Sequence, residues 1–113
     1  MKRLTFKAEH KPKVLAGTKR FTSRWRDLKL NVGETVAAVS AQNGRPAFLV
    51  PASDAFAKVL IESVEKKLWR DFTEEDAAKC GVTRAWYLKE RPNAKDTDEI
   101  FNYGFWVIAG GNS

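Results

Sequence analysis

The segment from Gly17 to Arg26, GTKRFTSRWR, constrains the fold of this chain more than any other stretch. Its Lys and Arg side chains are interleaved with hydroxyl and aromatic ones, so it is too polar to be a strand buried on both faces. From Lys19 to Trp25 strand-forming residues dominate, which predicts a strand that shows solvent a polar, cationic face. One face of this strand would carry Phe21, Ser23 and Trp25, and the other would carry Arg20, Thr22 and Arg24.

Positive charge is concentrated in the same part of the chain. Residues 1–30 hold ten Lys or Arg against two Asp or Glu, whereas residues 31–113 hold ten against twelve. Such clustering is typical of a protein that meets nucleic acid, because each neutralised phosphate releases condensed counterions. A basic face that only improves solubility is the alternative. The length of 113 residues, with 43% apolar residues, gives room for one modest core, and we predict a single domain over residues 1–113.

The middle of the chain carries signals for strands. Residues 32–40 are rich in small and β-branched side chains, and the turn QNGRP at 42–46 leads into an apolar run at 47–50, which predicts a hairpin. The 53–69 segment is ambiguous. An apolar residue at every fourth position favours a helix, but its β-branched residues suit a strand.

Helices are predicted where capping residues precede polar segments. Thr73 with Asp76 resembles a capping box and Gly81 supplies a left-handed terminus, so a short helix is expected over residues 73–79. A further helical turn is expected over residues 83–90, before Pro92. The remaining predicted elements are strands at 4–6 and 103–109 and a helical turn at 12–16.

Four motifs, in order, carry a resemblance to a known family. They are LAGTKRFTSR, NVGE, VLIESVE and FTEEDAAKCGV, which begin at Leu15, Asn31, Val59 and Phe72. Over residues 3–108 the chain resembles the ASCH family of the PUA-like superfamily, whose members typically combine G-x-K-x-x-T-x-R, a G-D or G-E pair and a helix opening L-T-x-E-x-A. The resemblance implies an α+β fold, a small, partly open PUA-like β-barrel with short flanking helices. It also favours a strand over most of 53–69.

The resemblance further implies a site. Lys19, Thr22 and Arg24 match the basic motif of the family, in which a pocket between barrel and helices receives RNA or a modified base. Known relatives include RNA-binding modules, an amidohydrolase that acts on N4-acetylcytidine, and members reported to have nuclease activity. Our leading hypothesis is therefore a domain that binds RNA or a modified nucleoside. Its predicted binding residues are Lys19, Arg20, Thr22, Arg24, Trp25 and Arg26, and Trp25 would either stack on a base or pack in the core.

Catalysis is the second hypothesis. A hydrolase of the N4-acetylcytidine amidohydrolase type, or a ribonuclease, would use Lys19 and Thr22 as catalytic residues, because a buried Lys can activate a nucleophile and Thr supplies a hydroxyl. The resemblance places the family's glutamate on Cys80, near the end of the 73–79 helix, where a thiol does not replace a carboxylate base. Binding is therefore ranked above catalysis. A basic module that grips an acidic protein partner is the third hypothesis.

The remaining chemistry of the sequence argues against several other classes of site. The chain has one His and one Cys, His10 and Cys80, which together do not make a zinc site, and we expect no metal and no cofactor. A single Cys indicates a cytoplasmic location by default. We expect no membrane segment and no secretory signal, because no apolar run is long enough. RNA or a modified nucleoside is the expected partner, with DNA and a protein partner as alternatives.

Overall fold

The computed structural model describes residues 1–110, and residues 111–113, the last three of the predicted domain, lie outside the described part. The strands are β1 (Arg3–Thr5), β2 (Phe21–Arg24), β3 (Thr35–Val39), β4 (Ala57–Leu68) and β5 (Glu99–Gly110). They form one mixed sheet in the order β1-β3-β4-β5-β2. β1 runs parallel to β3, and the other neighbouring pairs are antiparallel.

The sheet is open between its two edge strands. Within residues 1–110 no backbone ladder joins β1 to β2, so the α+β fold is present but the predicted β-barrel is not confirmed. Register shifts between Lys58 and Val59, and again between Ile61 and Ser63, interrupt the long pairing of β4 with β5 and increase its local twist. The edges still lie within side-chain reach of one another, because a side chain on β2 donates a hydrogen bond to the backbone of β1.

Short helices connect the strands. They are α1 (Lys11–Leu15), α2 (Glu74–Lys79) and α3 (Arg84–Glu90), with 3-10 turns at Ala8–His10, Ala47–Leu49, Ala52–Asp54 and Trp69–Asp71. The predicted capping box is present: the Thr73 hydroxyl oxygen accepts from the Asp76 backbone N–H, and the Asp76 carboxylate accepts from the Thr73 N–H. Thr83 caps α3 by accepting from the backbone N–H of Trp86. None of the helices between residues 1 and 110 has the length and apolar character that a bilayer crossing requires.

Two apolar clusters position the helices on the sheet. The main cluster includes the fully buried Leu4, Val14, Val36, Val59, Ile61, Tyr103 and Phe105. The second includes Trp69, Phe72, Ala77, Tyr87 and Ile100. In the second cluster the Phe72 ring lies 5.6 Å from Trp69 and 5.3 Å from Tyr87, centroid to centroid. Because this cluster joins α2 and α3 to β5, it fixes the residues at the helix ends relative to the sheet.

The predicted hairpin over residues 32–50 is wrong in its second half. β3 is present, but residues 47–49 form a 3-10 turn instead of a strand. Pro46 and Pro51 bracket this stretch and cannot donate to a ladder, which favours a turn over a paired strand. An isolated bridge between Gln42 and Arg45 closes the preceding turn.

The ambiguous segment 53–69 is resolved in favour of the strand. β4 occupies most of it, so the strand expected from the resemblance is confirmed and the helix favoured by periodicity is wrong. The apolar residues near its start alternate in burial, with Ala57, Val59 and Ile61 buried on the core side. Spacing by four is compatible with both elements, because it is also a multiple of two.

Thr22 and Arg24 on β2 point inward, so the prediction that this face meets solvent is wrong for both, whereas Arg20, which precedes β2, stays partly exposed. Thr22 is 2% exposed and Arg24 is half-buried; on the opposite face Phe21 is 40% exposed, but Ser23 is also only 2% exposed. The inward face is covered by the segment after β1 and by α3. The family-like motif therefore lines a cavity.

Candidate functional site

A cavity of about 500 Å³ lies at the opening of the sheet. Its walls come from the segment that follows β1, from β2 and the residue Lys19 before it, from residues 41–47, from the end of α2 and from α3. Its functional side chains are His10, Lys19, Thr22, Arg24, Cys80, Trp86, Tyr87 and Glu90. The volume falls within the range of small-ligand sites, and the lining combines aromatic surface with a few convergent polar groups, as such sites do.

Lys19 lies on the turn between α1 and β2. Its backbone N–H donates to the Lys13 carbonyl at 3.1 Å, and its ammonium group donates to the Cys80 carbonyl at the end of α2. Because Lys19 precedes the strand, it escapes strict alternation and shares the cavity with Thr22. The residue is 7% exposed, and burial lowers the pKa of its ammonium group to about 8, with Cys80 opposing this shift and Arg24 and Lys13 adding to it.

Arg24 organises the polar side of the cavity. Its Nη1 donates to the Thr22 hydroxyl oxygen at 2.7 Å, and its Nη2 donates to the Thr5 carbonyl oxygen. Since the Thr22 oxygen already accepts from Arg24, the Thr22 hydroxyl proton is directed to another acceptor. Because its guanidinium is already engaged by Thr22 and Thr5, Arg24 is poorly available to bind a phosphate. Its role is to hold the Thr22 hydroxyl as a hydrogen-bond donor.

Aromatic side chains line the same cavity. Trp86 and Tyr87 pack edge to face at 5.0 Å on α3, and His10 lies 6.5 Å from the Trp86 ring. The Lys7 ammonium lies 4.6 Å from the centre of the Trp86 ring. Burial raises the pKa of Tyr87, so its phenol is neutral at physiological pH. The cavity therefore offers a flat ligand both aromatic surface and hydrogen-bonding groups.

Cys80 is the C-cap residue of α2 and lines the cavity. It stands at the position where the resemblance places the glutamate of the family. Its Sγ lies 3.3 Å from the Ser23 hydroxyl oxygen and is buried. Among residues 1–110 the one carboxylate that lines the cavity is Glu90, at the end of α3. The acids at the start of α2 lie elsewhere: Asp76 pairs with Lys67 at 2.9 Å.

The structure separates the predicted site residues into two groups. Lys19, Thr22 and Arg24 come together in the cavity. Arg20 does not line it, because it pairs with Glu62 at 3.2 Å and stacks 4.1 Å from the Trp106 ring.

Trp25 and Arg26 also lie outside the cavity. The Trp25 ring packs 4.9 Å from Trp69, and its Nε1 donates to the Tyr87 carbonyl at 3.3 Å, which is a packing role in the second cluster. Arg26 is exposed and lines a neighbouring groove.

Among the functional side chains named above, four were not predicted as site residues: His10, Trp86, Tyr87 and Glu90. From the sequence, none of these four residues was given a site role. One signal was present, since Trp86 and Glu90 are four residues apart in a predicted helix and therefore share a face. Which way that face points depends on the packing of Tyr87 against Phe72, and this contact is not readable from spacing.

The class of protein follows from the fold: a small α+β domain whose open mixed sheet holds a polar cavity at its edge. No family model and no curated protein sequence matches the chain. Solved structures do. The ASCH domain of Lactobacillus crispatus JV V101 has a TM-score of 0.61 at 19% identity, covering 88% of this chain and 70% of that one.

Two further structures agree. The ASCH protein of Zymomonas mobilis has a TM-score of 0.70 at 9% identity, covering 96% of this chain and 71% of that one. A protein of Enterococcus faecalis V583 has a TM-score of 0.64 at 15% identity, with 90% and 68% covered. The chain therefore has the ASCH-domain fold, and it spans about two thirds of the length of these structures.

Proposed function

We propose that the cavity binds the base of an RNA nucleotide or of a modified nucleoside. The observation that carries this proposal is that Lys19, Thr22 and Arg24 line one cavity together with Trp86. Stacking on an indole is available to any base, whereas hydrogen bonds from a fixed ammonium and a fixed hydroxyl select among bases. The ASCH-domain fold and the excess of positive charge in residues 1–30 support the same assignment.

The two donors, the Lys19 ammonium and the Thr22 hydroxyl, require hydrogen-bond acceptor atoms on the ligand. Lys19 donates to the Cys80 carbonyl and keeps further N–H groups for a ligand, and the Thr22 hydroxyl is left as a donor by Arg24. Both groups favour acceptor atoms such as a base carbonyl oxygen or an acetyl oxygen. A ligand without such an acceptor would leave buried donors unpaired, which is costly.

Intrinsic fluorescence provides the test. The protein is titrated separately with uridine, cytidine, adenosine, guanosine, N4-acetylcytidine and a short single-stranded RNA. We expect saturable quenching that Trp86→Phe removes, because Trp86 lines the cavity. Lys19→Met should weaken binding by roughly tenfold or more, the effect of losing a charge-assisted hydrogen bond. The exposed Lys58, on β4, provides the matched control in Lys58→Met.

Two variants of Thr22 test whether this side chain selects among bases or only adds to the affinity for all of them. Thr22→Ser keeps the hydroxyl and Thr22→Val keeps the shape, so the first should preserve the order of base preference and the second should change it. If both variants bind all probes as the wild type does, the cavity is not the binding site.

Hydrolysis is a second candidate function, favoured by one observation. The pKa of Lys19 is lowered to about 8, which makes a neutral amine accessible near physiological pH, and Glu90 supplies a carboxylate at the same cavity. Incubation with N4-acetylcytidine should then release cytidine and acetate in proportion to time and enzyme, at a rate that rises through about pH 8. Lys19→Met must abolish the release. Product formation that survives this variant would exclude the assignment.

A further inference from the structure

A second groove, of about 500 Å³, adjoins the cavity. We call it the seam groove. It is lined chiefly by Lys2, Arg3, Arg26, Asp27 and Phe48. Thr5 lines both the seam groove and the cavity, and its carbonyl oxygen accepts the hydrogen bond from Arg24. The two recesses are therefore neighbours on either side of one contact, along the opening between β1 and β2.

The seam groove is cationic. Arg26 is exposed, and within the described residues 1–110 its side chain has no hydrogen bond, ion pair or ring contact. Lys2 contacts Glu34 at 3.4 Å, and Arg3 donates to two backbone carbonyls, which leaves the charge of its guanidinium unneutralised. Asp27 is the one carboxylate in the lining within residues 1–110. The remaining balance favours an anionic occupant.

An exposed aromatic ring lies in the same groove. Phe48 is 66% exposed, on the 3-10 turn over residues 47–49. The turn is held in place from beneath, because Arg3 donates to the carbonyl oxygens of Phe48 at 3.0 Å and of Val50 at 2.8 Å. The ring is thus presented to solvent by a fixed backbone next to an unpaired cation.

Cations that track a backbone, combined with an aromatic face, are the chemistry that binds single-stranded nucleic acid. We propose that the seam groove binds the nucleotides that flank the base in the cavity, so that the ligand is a single-stranded RNA segment and not a free nucleoside. Phe48 stacks on a flanking base, and Arg26 with Lys2 contacts the phosphates. This inference rests on the proposed function of the cavity and extends it to a polymer.

An acidic protein segment is the competing occupant for a cationic groove. It accounts for Arg26 and Lys2 but gives no specific use to an aromatic ring beside a cavity that presents a second aromatic wall at Trp86. Two aromatic faces on either side of a shared residue, Thr5, match a strand of consecutive bases better. The observations therefore favour RNA.

Length dependence is the first test. Fluorescein-labelled single-stranded RNAs of one, two, four and eight nucleotides are titrated with the full chain at low and moderate salt. The inference predicts that affinity increases with length until the seam groove is filled and then levels off. It is overturned if the longest RNA binds no more tightly than the mononucleotide.

Two groove variants make the test specific. Arg26→Ala should weaken the eight-nucleotide RNA irrespective of sequence and reduce the slope of log affinity against log salt by about one. Phe48→Ala should weaken it by roughly tenfold, the effect of losing one stacked base. Neither variant should change mononucleotide binding. The matched controls are Lys58→Ala for charge and Val32→Ala for exposed apolar surface, since Val32 is 65% exposed.

The outcomes separate the two proposals. If mononucleotides bind in a Lys19-dependent manner but Arg26→Ala and Phe48→Ala leave the eight-nucleotide RNA unaffected, the groove assignment fails and the cavity stands. If the groove variants weaken the long RNA but Lys19→Met and Thr22→Val do not, the cavity assignment fails and the groove stands. If a polyglutamate peptide displaces the long RNA at equal concentration, or binds where RNA does not, the groove holds an acidic protein instead.

Discussion

Arg24 on β2 and Thr5 on β1 connect the two edges of the open sheet through a hydrogen bond from the guanidinium to the Thr5 carbonyl oxygen. The same guanidinium donates to Thr22 at 2.7 Å. One side chain therefore performs a structural task and a functional one: it bridges strands that share no ladder within residues 1–110, and it directs the Thr22 hydroxyl. Arg24 lines the cavity, and its partner Thr5 lines both the cavity and the seam groove.

We expect Arg24→Lys to destabilise the protein despite keeping the charge. A lysine ammonium lacks the planar fork that reaches Thr22 and Thr5 at once, so one hydrogen bond is lost at a partly buried cation, at a cost of about 2 kcal/mol. Urea denaturation measures the change in the free energy of unfolding. The exposed Arg70, on the 3-10 turn after β4, gives the control Arg70→Lys, which should change stability by less than about 0.5 kcal/mol. Equal effects at the two positions would contradict the bridging role.

Local signals in the sequence were sufficient for most of the elements. The capping box at Thr73 and Asp76 uses contacts within three residues, and it correctly predicted α2. The three residues that the family-like motif singles out, Lys19, Thr22 and Arg24, line one cavity. Such features depend on neighbours in the chain or on a pattern that already encodes the fold.

The parts that sequence reasoning missed depend on contacts between distant segments. The inward orientation of Thr22 and Arg24 is set by the cover that α3 provides, some sixty positions later in the chain, and alternation alone does not say which face of β2 is covered. The same limit applies to Trp25, for which the sequence left open both stacking on a base and packing in the core. Its packing partner, Trp69, is remote in sequence.

Gly81 is predicted to matter for the site through the backbone of α2. Its φ is 79°, and a Cβ there would meet no atom within 4 Å, so Gly81→Ala costs about 1 kcal/mol through backbone strain alone. The residue directly follows Cys80, whose carbonyl accepts from Lys19. We therefore expect the variant to lose affinity for the cavity ligand as well as stability.

The comparison for Gly81 is Gly44, which has a φ of 75° and equal space but lies in the turn between Gln42 and Arg45. Gly44→Ala should cost similar stability and leave binding unchanged. Thermal unfolding and the fluorescence titration together measure both quantities. Loss of binding in both variants, or in neither, would contradict the specific link from Gly81 to Lys19.

His10 should contribute to acid sensitivity. Burial lowers the pKa of its imidazole below 6.5, with the cations Lys19, Lys13 and Arg24 acting in the same direction and Glu9 opposing them. Below about pH 6.5 the unfolded chain binds a proton that the folded chain does not, so stability falls as pH decreases. His10→Gln removes this titration. We expect the variant to lose less unfolding free energy than the wild type between about pH 7 and about pH 5 in urea denaturation. An equal loss in the two proteins would contradict the assignment.

The buried position of Lys19 disfavours the positive charge of its ammonium group. The pKa of its ammonium group is 10.5 in ordinary surroundings and about 8 here, so the protonated form is disfavoured in the folded state. Between these two values the unfolded chain binds more protons than the folded chain, and the contribution of Lys19 to stability therefore improves as pH rises through this window. Below about pH 8 the full cost is present. A residue retained at such a cost is typical of a functional site.

Lys19→Met should consequently stabilise the protein near neutral pH while it weakens binding. A shift of this size corresponds to about 3 kcal/mol, and the lost hydrogen bond to the Cys80 carbonyl offsets about 1, which leaves a gain of about 2 kcal/mol. Urea denaturation of both proteins at a series of pH values should show the gain shrinking above about pH 8. The exposed control Lys58→Met should show no such dependence. A variant that is less stable than the wild type at every pH would mean that the Lys19 ammonium is a structural contact and not a group held in place for a ligand.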